Sequence, residues 1–296
     1  MIQLDKHNRE TGKPPRRHIL RATPALPVLV TMLNGISGFA SIHYASRCGL
    51  GNASLSYLTI SAWLIFASMV FDALDGRLAR LTRQVTDFGG QLDSLCDVIS
   101  FGVAPAMLML QAVSRYVTGD IDIFHHQSPV FGRIIFAIAI LYVCCAILRL
   151  ARFNVENAPD LLHHMSFKGL PSPGAAATVA AIVLLFDAIQ SIHSGWKSAA
   201  WLEYVVFATL PVATCGVGLL MISNFRYSHL VNQFVRGRKP FGFLIKAALA
   251  IALAVVFFQL GMALATIAYA VSGPLGALYR RIRPAVPIAP PPPPVP

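Results

Sequence analysis

Residues 71–98 read FDALDGRLARLTRQVTDFGGQLDSLCDV and carry five of the thirteen acidic residues of this 296-residue chain. Strongly apolar segments flank the stretch on both sides. Asp72 and Asp75 are three residues apart, and Asp93 and Asp97 are four apart. Because side chains at these spacings are neighbours on one helix face, the pattern predicts two helices that each present a pair of carboxylates.

The composition of the whole chain indicates a membrane protein. Hydrophobic residues make up 55% of it and charged residues only 12%, whereas soluble domains average about 25% charged residues. Several apolar runs reach the roughly 17–25 residues that a membrane-spanning helix needs. We therefore predict an all-α integral membrane protein, a bundle of about eight transmembrane helices. The predicted spans run near residues 26–44, 57–71, 98–113, 131–148, 174–192, 202–223, 243–258 and 260–278.

The basic residues predict how this bundle is oriented. If the N-terminus is cytoplasmic and the eight spans alternate, 20 of the 24 Lys and Arg residues fall on the cytoplasmic side. Such a bias is typical of cytoplasmic loops, so both termini are predicted to be cytoplasmic, in a bacterial-type inner membrane. The same loops facing an anionic leaflet account for the net charge of +11, and no nucleic-acid partner is predicted.

The chain divides into three parts by composition. Residues 1–23 form a basic tail, in which no short apolar core precedes a cleavage site of the kind found in secretory signals. Residues 24–278 form the membrane domain. Residues 279–296 end in a run of prolines, which predicts an extended segment.

The two pairs of aspartates are predicted to meet. Asp72 and Asp75 close the second span, and Asp93 and Asp97 open the third, so all four carboxylates lie at the same end of adjacent antiparallel helices. Four such groups repel each other unless a cation lies among them. Oxygen ligands suit Mg²⁺ or Mn²⁺, and Mg²⁺ is usually shared between a few carboxylates and substrate phosphates. The pattern therefore predicts a divalent cation and a phosphate-bearing substrate.

The residues between the two pairs fit a phosphate ligand. Gly76 and Arg80 follow Asp72 at successive steps of four, where a glycine permits close approach and an arginine offers two parallel donors. The alternative is that the aspartates cap helix ends and pair with Arg77, Arg80 and Arg83 at a wet interface.

The full pattern resembles the signature of a known family. Asp72-x2-Asp75-Gly76-x2-Ala79-Arg80-x8-Gly89-x3-Asp93-x3-Asp97 is similar, at all eight fixed positions, to the signature of the CDP-alcohol phosphatidyltransferases. The resemblance implies a helical membrane bundle, commonly a homodimer, with its active site open to the cytoplasm. Members of the family displace CMP from a CDP-linked substrate with an alcohol, and they use a divalent metal.

The resemblance also implies roles for individual residues. Asp72, Asp75 and Asp93 match metal ligands, and Asp97 matches an aspartate that binds metal and deprotonates the attacking hydroxyl. Upstream, PVLVTMLN resembles the Pro-Asn-x-x-Thr start of the first helix, except that Val28 stands where Asn is usual. The residues implied to contact the CDP group are Asp72, Gly76, Ala79, Arg80, Thr86, Gly89, Thr31 and Asn34.

Three further strings narrow the resemblance to one branch of the family. QLDSLCDVISFGVAPA, LRLARFNV and FKGLPSPGAAA resemble the phosphatidylserine synthases of bacteria and archaea. This resemblance implies CDP-diacylglycerol and L-serine as substrates, and phosphatidylserine and CMP as products. Arg149, Arg152, Asn154 and Lys168 are candidates to bind the serine carboxylate or the lipid phosphate. The arginines could equally extend toward the phosphates of the surrounding lipid.

Other functions stay open at this point. The signature itself does not distinguish serine from choline, inositol or glycerol 3-phosphate, although choline would favour an aromatic cage that the inner loops do not offer. A transporter could carry cations or protons on buried carboxylates, but transporter sites usually lie near the middle of the bilayer. A purely structural role for the aspartates predicts that Asp97→Asn has no effect.

Overall fold

A computed structural model describes residues 25–47, 54–82, 87–118, 129–156, 169–193, 200–225 and 258–282. Every regular element within these ranges is a helix, as the composition predicts. A π-helical turn, Val98–Val103, joins the third helix to the fourth. The α-helices are α1 Ala25–Ser46, α2 Ser54–Thr82, α3 Asp87–Asp97, α4 Ala104–Thr118, α5 Pro129–Glu156, α6 Ser172–His193, α7 Ala200–Ile222 and α8 Phe258–Ile282.

Length and apolarity identify the helices that can cross a membrane. Six segments of the described chain qualify, namely Pro27–Ser46, Tyr57–Leu78, Phe88–Ser114, Val130–Val155, Ser172–Ile189 and Phe258–Ala277. The sixth predicted span falls on α7, of which Ala208–Ile222 is a shorter apolar helix. The seventh, residues 243–258, lies outside the described residues except for Phe258. The helical membrane architecture is therefore confirmed, and eight crossings stay a prediction.

The second and third spans are longer than predicted. Helix α2 continues past residue 71 to Thr82, and α3 begins at Asp87, ahead of the predicted start at residue 98. The aspartates therefore lie within continuous helices, where the helical period fixes their relative directions. We call the end of the bundle at which α2 ends and α3 begins the carboxylate end.

Helix α6 lies at the centre of the bundle. Its residues 175–184 are all buried, as expected of a helix that is apolar around its whole circumference. Beside it, the fully buried Tyr142 on α5 donates a hydrogen bond to the Phe101 carbonyl in the π-helical turn, at 3.0 Å. The core therefore ties α5 to the turn that follows Asp97.

Helix α1 packs closely against α3 and the π-helical turn through two glycines. A Cβ on Gly35 would lie 2.9 Å from Cys96 Sγ, and a Cβ on Gly38 would lie 2.7 Å from Ser100 Cα. No side chain fits at Gly38 without a shift of backbone. This close approach brings polar groups of α1 to the carboxylate end.

The start of α6 is joined to the end of α7. Gly169 has φ +87°, and its amide donates to the Phe225 carbonyl at 2.8 Å, while the Leu170 amide donates to the Leu220 carbonyl at 3.0 Å. A side chain at Gly169 would also meet the Met221 carbonyl, so only glycine fits there. The end of α7 therefore lies beside the start of α6.

Helix α8 runs antiparallel to α6. Gly174 packs against Tyr269, and the Thr178 hydroxyl donates to the Thr266 carbonyl at 3.4 Å, so later residues of α6 meet earlier residues of α8. The start of α8 consequently lies at the opposite end of α6 from the end of α7.

Candidate active site

Helices α2 and α3 bring three carboxylates together. Asp72, Asp75 and Asp93 each offer an oxygen, and these oxygens all lie within 4.8 Å of one another. Asp75 is buried, and the other two are partly buried. We call these three residues the aspartate cluster. It forms because the spacing of three places Asp72 and Asp75 on one face of α2, where Asp93 of α3 meets them.

The described residues satisfy the oxygens of the aspartate cluster only in part. Asp75 Oδ2 and Asp93 Oδ1 are buried, and no group in the described part of the chain donates a hydrogen bond to either. Buried carboxylate oxygens without partners are costly, and three anionic groups so close together also repel each other. A divalent cation would remove both costs, and a set of carboxylate oxygens is the donor set that hard cations such as Mg²⁺ prefer. The residues present therefore fit a divalent metal.

Asp97 lies apart from the cluster and has its own partner. Its side chain is buried, and Asn34 Nδ2 on α1 donates to Asp97 Oδ1 at 2.9 Å. The π-helical turn begins at the next residue, Val98. Such turns occur often at functional sites, because they change the direction of the side chains around them. The structure thus places the fourth aspartate near the other three but gives it different surroundings.

Asn34 connects three elements around Asp97. Asn34 is fully buried. Its backbone carbonyl accepts hydrogen bonds from Ser100 Oγ in the π-helical turn at 2.9 Å and from Ser68 Oγ on α2 at 3.3 Å. Its side-chain oxygen is buried with no donor among the described residues. Thr31, one turn earlier, is also buried, and its hydroxyl donates to the Pro27 carbonyl at 3.1 Å. Asn34 therefore faces Asp97, an arrangement that the motif alone does not indicate.

The remaining CDP-binding candidates of this stretch fall on or between α2 and α3. A Cβ added to Gly76 would meet nothing within 4 Å, so space is open beside the cluster. Gly89 lies in the first turn of α3 and is partly buried. Ala79 and Arg80 belong to α2, where only their backbone is described, and Thr86 lies outside the described residues.

Arg149 extends from α5 toward the same site. Its Nη1 donates to Ser172 Oγ at 3.0 Å, at the start of α6, while its Nε is buried with no acceptor among the described residues. The guanidinium is close enough to Asp97 and to Tyr269 on α8 to interact electrostatically with both. The sequence motifs did not indicate Tyr269, which lies three helices after Arg149 and belongs to none of the recognised motifs.

The other acceptor candidates are placed differently. Arg152 Nη1 donates to Asn224 Oδ1 at 3.4 Å, just beyond the end of α7. Asn154 Nδ2 donates to Ser94 Oγ at 2.9 Å, so it contacts α3 between Asp93 and Asp97. Both side chains thus tie neighbouring helices together. Lys168 lies outside the described residues.

Comparison with known proteins gives a consistent result. A family model described as CDP-alcohol phosphatidyltransferase matches residues 24–215. A CDP-diacylglycerol–serine O-phosphatidyltransferase from Helicobacter pylori is 35% identical over 201 residues, covering 66% of this chain and 73% of that protein. One from Methanocaldococcus jannaschii is 35% identical over 204 residues, covering 69% and 74%. An archaetidylserine synthase from Methanothermobacter thermautotrophicus is 35% identical over 205 residues, covering 69% of each chain.

Proposed function

Because the chain belongs to the CDP-alcohol phosphatidyltransferase family, we propose that it transfers the phosphatidyl group of CDP-diacylglycerol to the hydroxyl of L-serine. The products are phosphatidylserine and CMP. The observation that carries the chemistry is the aspartate cluster, in which two buried oxygens have no partner among the described residues, with a fourth aspartate that accepts a hydrogen bond from Asn34. The names of these relatives favour serine, since serine is common to them while the lipid differs.

Asp72, Asp75 and Asp93 would hold the divalent cation, which is Mg²⁺ or Mn²⁺. When bound, it supplies positive charge that neutralises the pyrophosphate and the departing CMP. Asp97 would be a further ligand of the cation.

Asp97 also acts as the general base. It accepts the proton of the serine hydroxyl, and the serine oxygen forms a bond to the phosphorus that carries diacylglycerol. The bond between this phosphorus and the oxygen of CMP breaks at the same time, and CMP leaves with the electron pair. The contribution of Asn34 is to hold the carboxylate in one orientation, since positioning is worth a large part of the barrier.

The remaining signature residues bind the nucleotide in this proposal. Gly76 leaves room for the CDP group beside the cluster, and Arg80, one turn further along α2, contributes positive charge for its phosphates. Ala79, Gly89 and Thr86 contact the CDP group, as the family resemblance implies. Thr31 and Asn34 are buried, so their part in nucleotide binding is to shape the wall beneath it.

The site opens to the cytoplasm of a bacterial-type inner membrane, and the bundle crosses the bilayer eight times as part of a homodimer. Two observations support the crossing predicted at residues 243–258, which brings the number to eight. The end of α7 and the start of α8 lie at opposite ends of α6, so residues 226–257 connect the two ends of the bundle. Residues 243–257 are apolar apart from Lys246. The bias of Lys and Arg toward one side supports the orientation.

A direct assay tests the reaction. Membranes containing the protein receive CDP-diacylglycerol, Mg²⁺ or Mn²⁺, and one alcohol at a time from serine, choline, inositol and glycerol 3-phosphate. CMP release and the lipid product are measured for the wild type, for Asp97→Asn and for Asp187→Asn, a matched control far from the cluster. We expect serine-dependent CMP and phosphatidylserine from the wild type and the control only. CMP with another alcohol alone would overturn the serine assignment, and no CMP with any alcohol would favour a transporter.

A further inference from the structure

The guanidinium of Arg149 is only partly hydrogen-bonded by the described chain. Its Nη1 donates to Ser172 Oγ at 3.0 Å, yet its Nε is buried and has no acceptor within the described ranges. A guanidinium has five N–H donors in a planar fork, and a buried donor without a partner is costly. This cost is removed when an anion binds beside Ser172 and accepts from the free side of the fork.

Tyr269 forms a second wall of the same position. A Cβ on Gly174 would lie 3.1 Å from Tyr269 Cε1, so the glycine allows the aromatic ring to rest on the first turn of α6. The phenol group is close enough to Arg149 to interact with it electrostatically. The hydroxyl of a tyrosine can donate to the second oxygen of an anion that the arginine binds.

The location of this position indicates which anion binds there. Arg149 also interacts electrostatically with Asp97, the residue that takes the proton from the acceptor in the proposed reaction. L-Serine is a small molecule in which the hydroxyl and the carboxylate are separated by only two carbon atoms. An acceptor with its hydroxyl at Asp97 therefore has its carboxylate within a few ångströms of that residue, and Arg149 is a cation that interacts with Asp97.

We propose that Arg149 and Tyr269 bind the carboxylate of the amino-acid acceptor, and that this contact selects serine over alcohols that lack a carboxylate. The inference rests on the proposed function and adds a selectivity site from α5 and α8 to it. Tyr269 lies beyond residues 24–215, the part of the chain that the family model matches. Arginine suits the task because its fork matches the two oxygens of a carboxylate.

The test compares L-serine with L-serinamide, which keeps the hydroxyl and the amine but has no charged carboxylate. KM and kcat for each acceptor, and KM for CDP-diacylglycerol, are measured for the wild type, Arg149→Gln, Arg149→Lys and Tyr269→Phe. Arg133→Gln, an exposed arginine near the start of α5, is the matched control. Arg149→Gln should raise the KM for serine roughly 10- to 100-fold, the loss expected for a hydrogen-bonded charged partner.

The preference for serine over serinamide should fall by the same factor, with the KM for CDP-diacylglycerol unchanged. Arg149→Lys should recover part of the loss, and Tyr269→Phe should show a smaller loss, about 3- to 10-fold, that is again confined to serine. Tyr269→Phe keeps the ring against Gly174, so it also tests the inference if Arg149→Gln does not accumulate. Arg133→Gln should match the wild type.

Two results would overturn the inference while leaving the proposed function in place. If Arg149→Gln raises the KM for CDP-diacylglycerol and affects both acceptors equally, Arg149 binds the lipid pyrophosphate. If serine and serinamide respond alike in every variant, the carboxylate is not recognised here. A wild type that releases no CMP with serine would instead refute the proposed function and the inference together.

Discussion

Carboxylates occur at two levels of this bundle, and their surroundings differ. Asp187 on α6 accepts a hydrogen bond from Thr59 Oγ1 on α2 at 2.7 Å. Thr59 lies roughly 20 Å along α2 from Asp72, at 1.5 Å per residue. Near Asp72, by contrast, Asp75 and Asp93 have buried oxygens that no described group satisfies. The chain therefore provides a partner for the carboxylate that joins two helices and leaves the aspartate cluster to a ligand.

The largest loss of activity is expected when a carboxylate of the aspartate cluster, or the neighbouring Asp97, is replaced by a neutral amide. Asp97→Asn removes the proposed base and should lower kcat by about 10²- to 10⁴-fold, the usual contribution of general base catalysis. Asp93→Asn should lower activity at least as much, because it removes a carboxylate from the cluster. CMP release from purified protein measures both. Activity within tenfold of the wild type in either variant would contradict a catalytic function of this end.

The same substitution should change the response of the protein to metal. Without metal, Asp93→Asn removes one of three repelling charges, so its melting temperature should equal or exceed that of the wild type. Mg²⁺ or Mn²⁺ should raise the melting temperature of the wild type, since a ligand that binds only the folded state stabilises it. The variant should respond much less. Equal metal-induced shifts in both proteins, measured in detergent, would mean that the cation binds elsewhere.

Asn34 should have the next largest effect, because it acts on Asp97 through one hydrogen bond. Asn34→Ala should lower kcat about 10- to 100-fold, by analogy with partners that orient catalytic ligands. The KM for CDP-diacylglycerol should stay nearly constant, since the residue is fully buried. Asn34→Gln, which keeps the amide but lengthens the side chain, should not recover the rate. Ser68→Ala is the control, because it removes contacts with the backbone carbonyls of Asn34 at 3.3 Å and Leu64 at 3.0 Å but keeps the Asn34 side chain. A rise in KM without a fall in kcat would instead indicate direct nucleotide binding.

The aspartate pairs and the Asn34 contact differ in how far the sequence could predict them. The pairs follow from the helical period, which is local, so residues 71–98 were sufficient. The Asn34–Asp97 contact joins residues 63 positions apart. It depends on Gly35 and Gly38, which allow α1 to pack closely against α3 and the π-helical turn. It also depends on that turn, VISFGV, which no local sequence pattern predicts. Tyr269 was missed for the same reason, since only the packing of α8 on α6 brings it to Arg149.

Gly38 and Gly76 differ in the space around them, and this difference separates stability from activity. A Cβ on Gly38 would lie 2.7 Å from the Ser100 backbone, whereas a Cβ on Gly76 would meet nothing within 4 Å. Gly38→Ala should therefore destabilise the protein by about 1–3 kcal/mol, as overpacking does. Gly76→Ala should keep or raise stability, because alanine favours the helix, and lower activity by crowding the CDP group. Thermal unfolding and CMP release measure the two effects. A destabilised Gly76→Ala, or an equally stable Gly38→Ala, would contradict this division.

The smallest effect is expected at Asp187. Asp187→Asn keeps the shape of the side chain and can still accept from Thr59, so kcat and both KM values should stay within about twofold of the wild type. Its stability should fall by only about 0.5–1.5 kcal/mol, because a hydrogen bond to a charged acceptor becomes a neutral one. Thr59→Val should destabilise the protein more, since it leaves the Asp187 carboxylate without this donor. If Asp187→Asn reduced activity as Asp93→Asn does, the two levels of carboxylate would share a function, and a path for cations or protons along the bundle would become the better explanation.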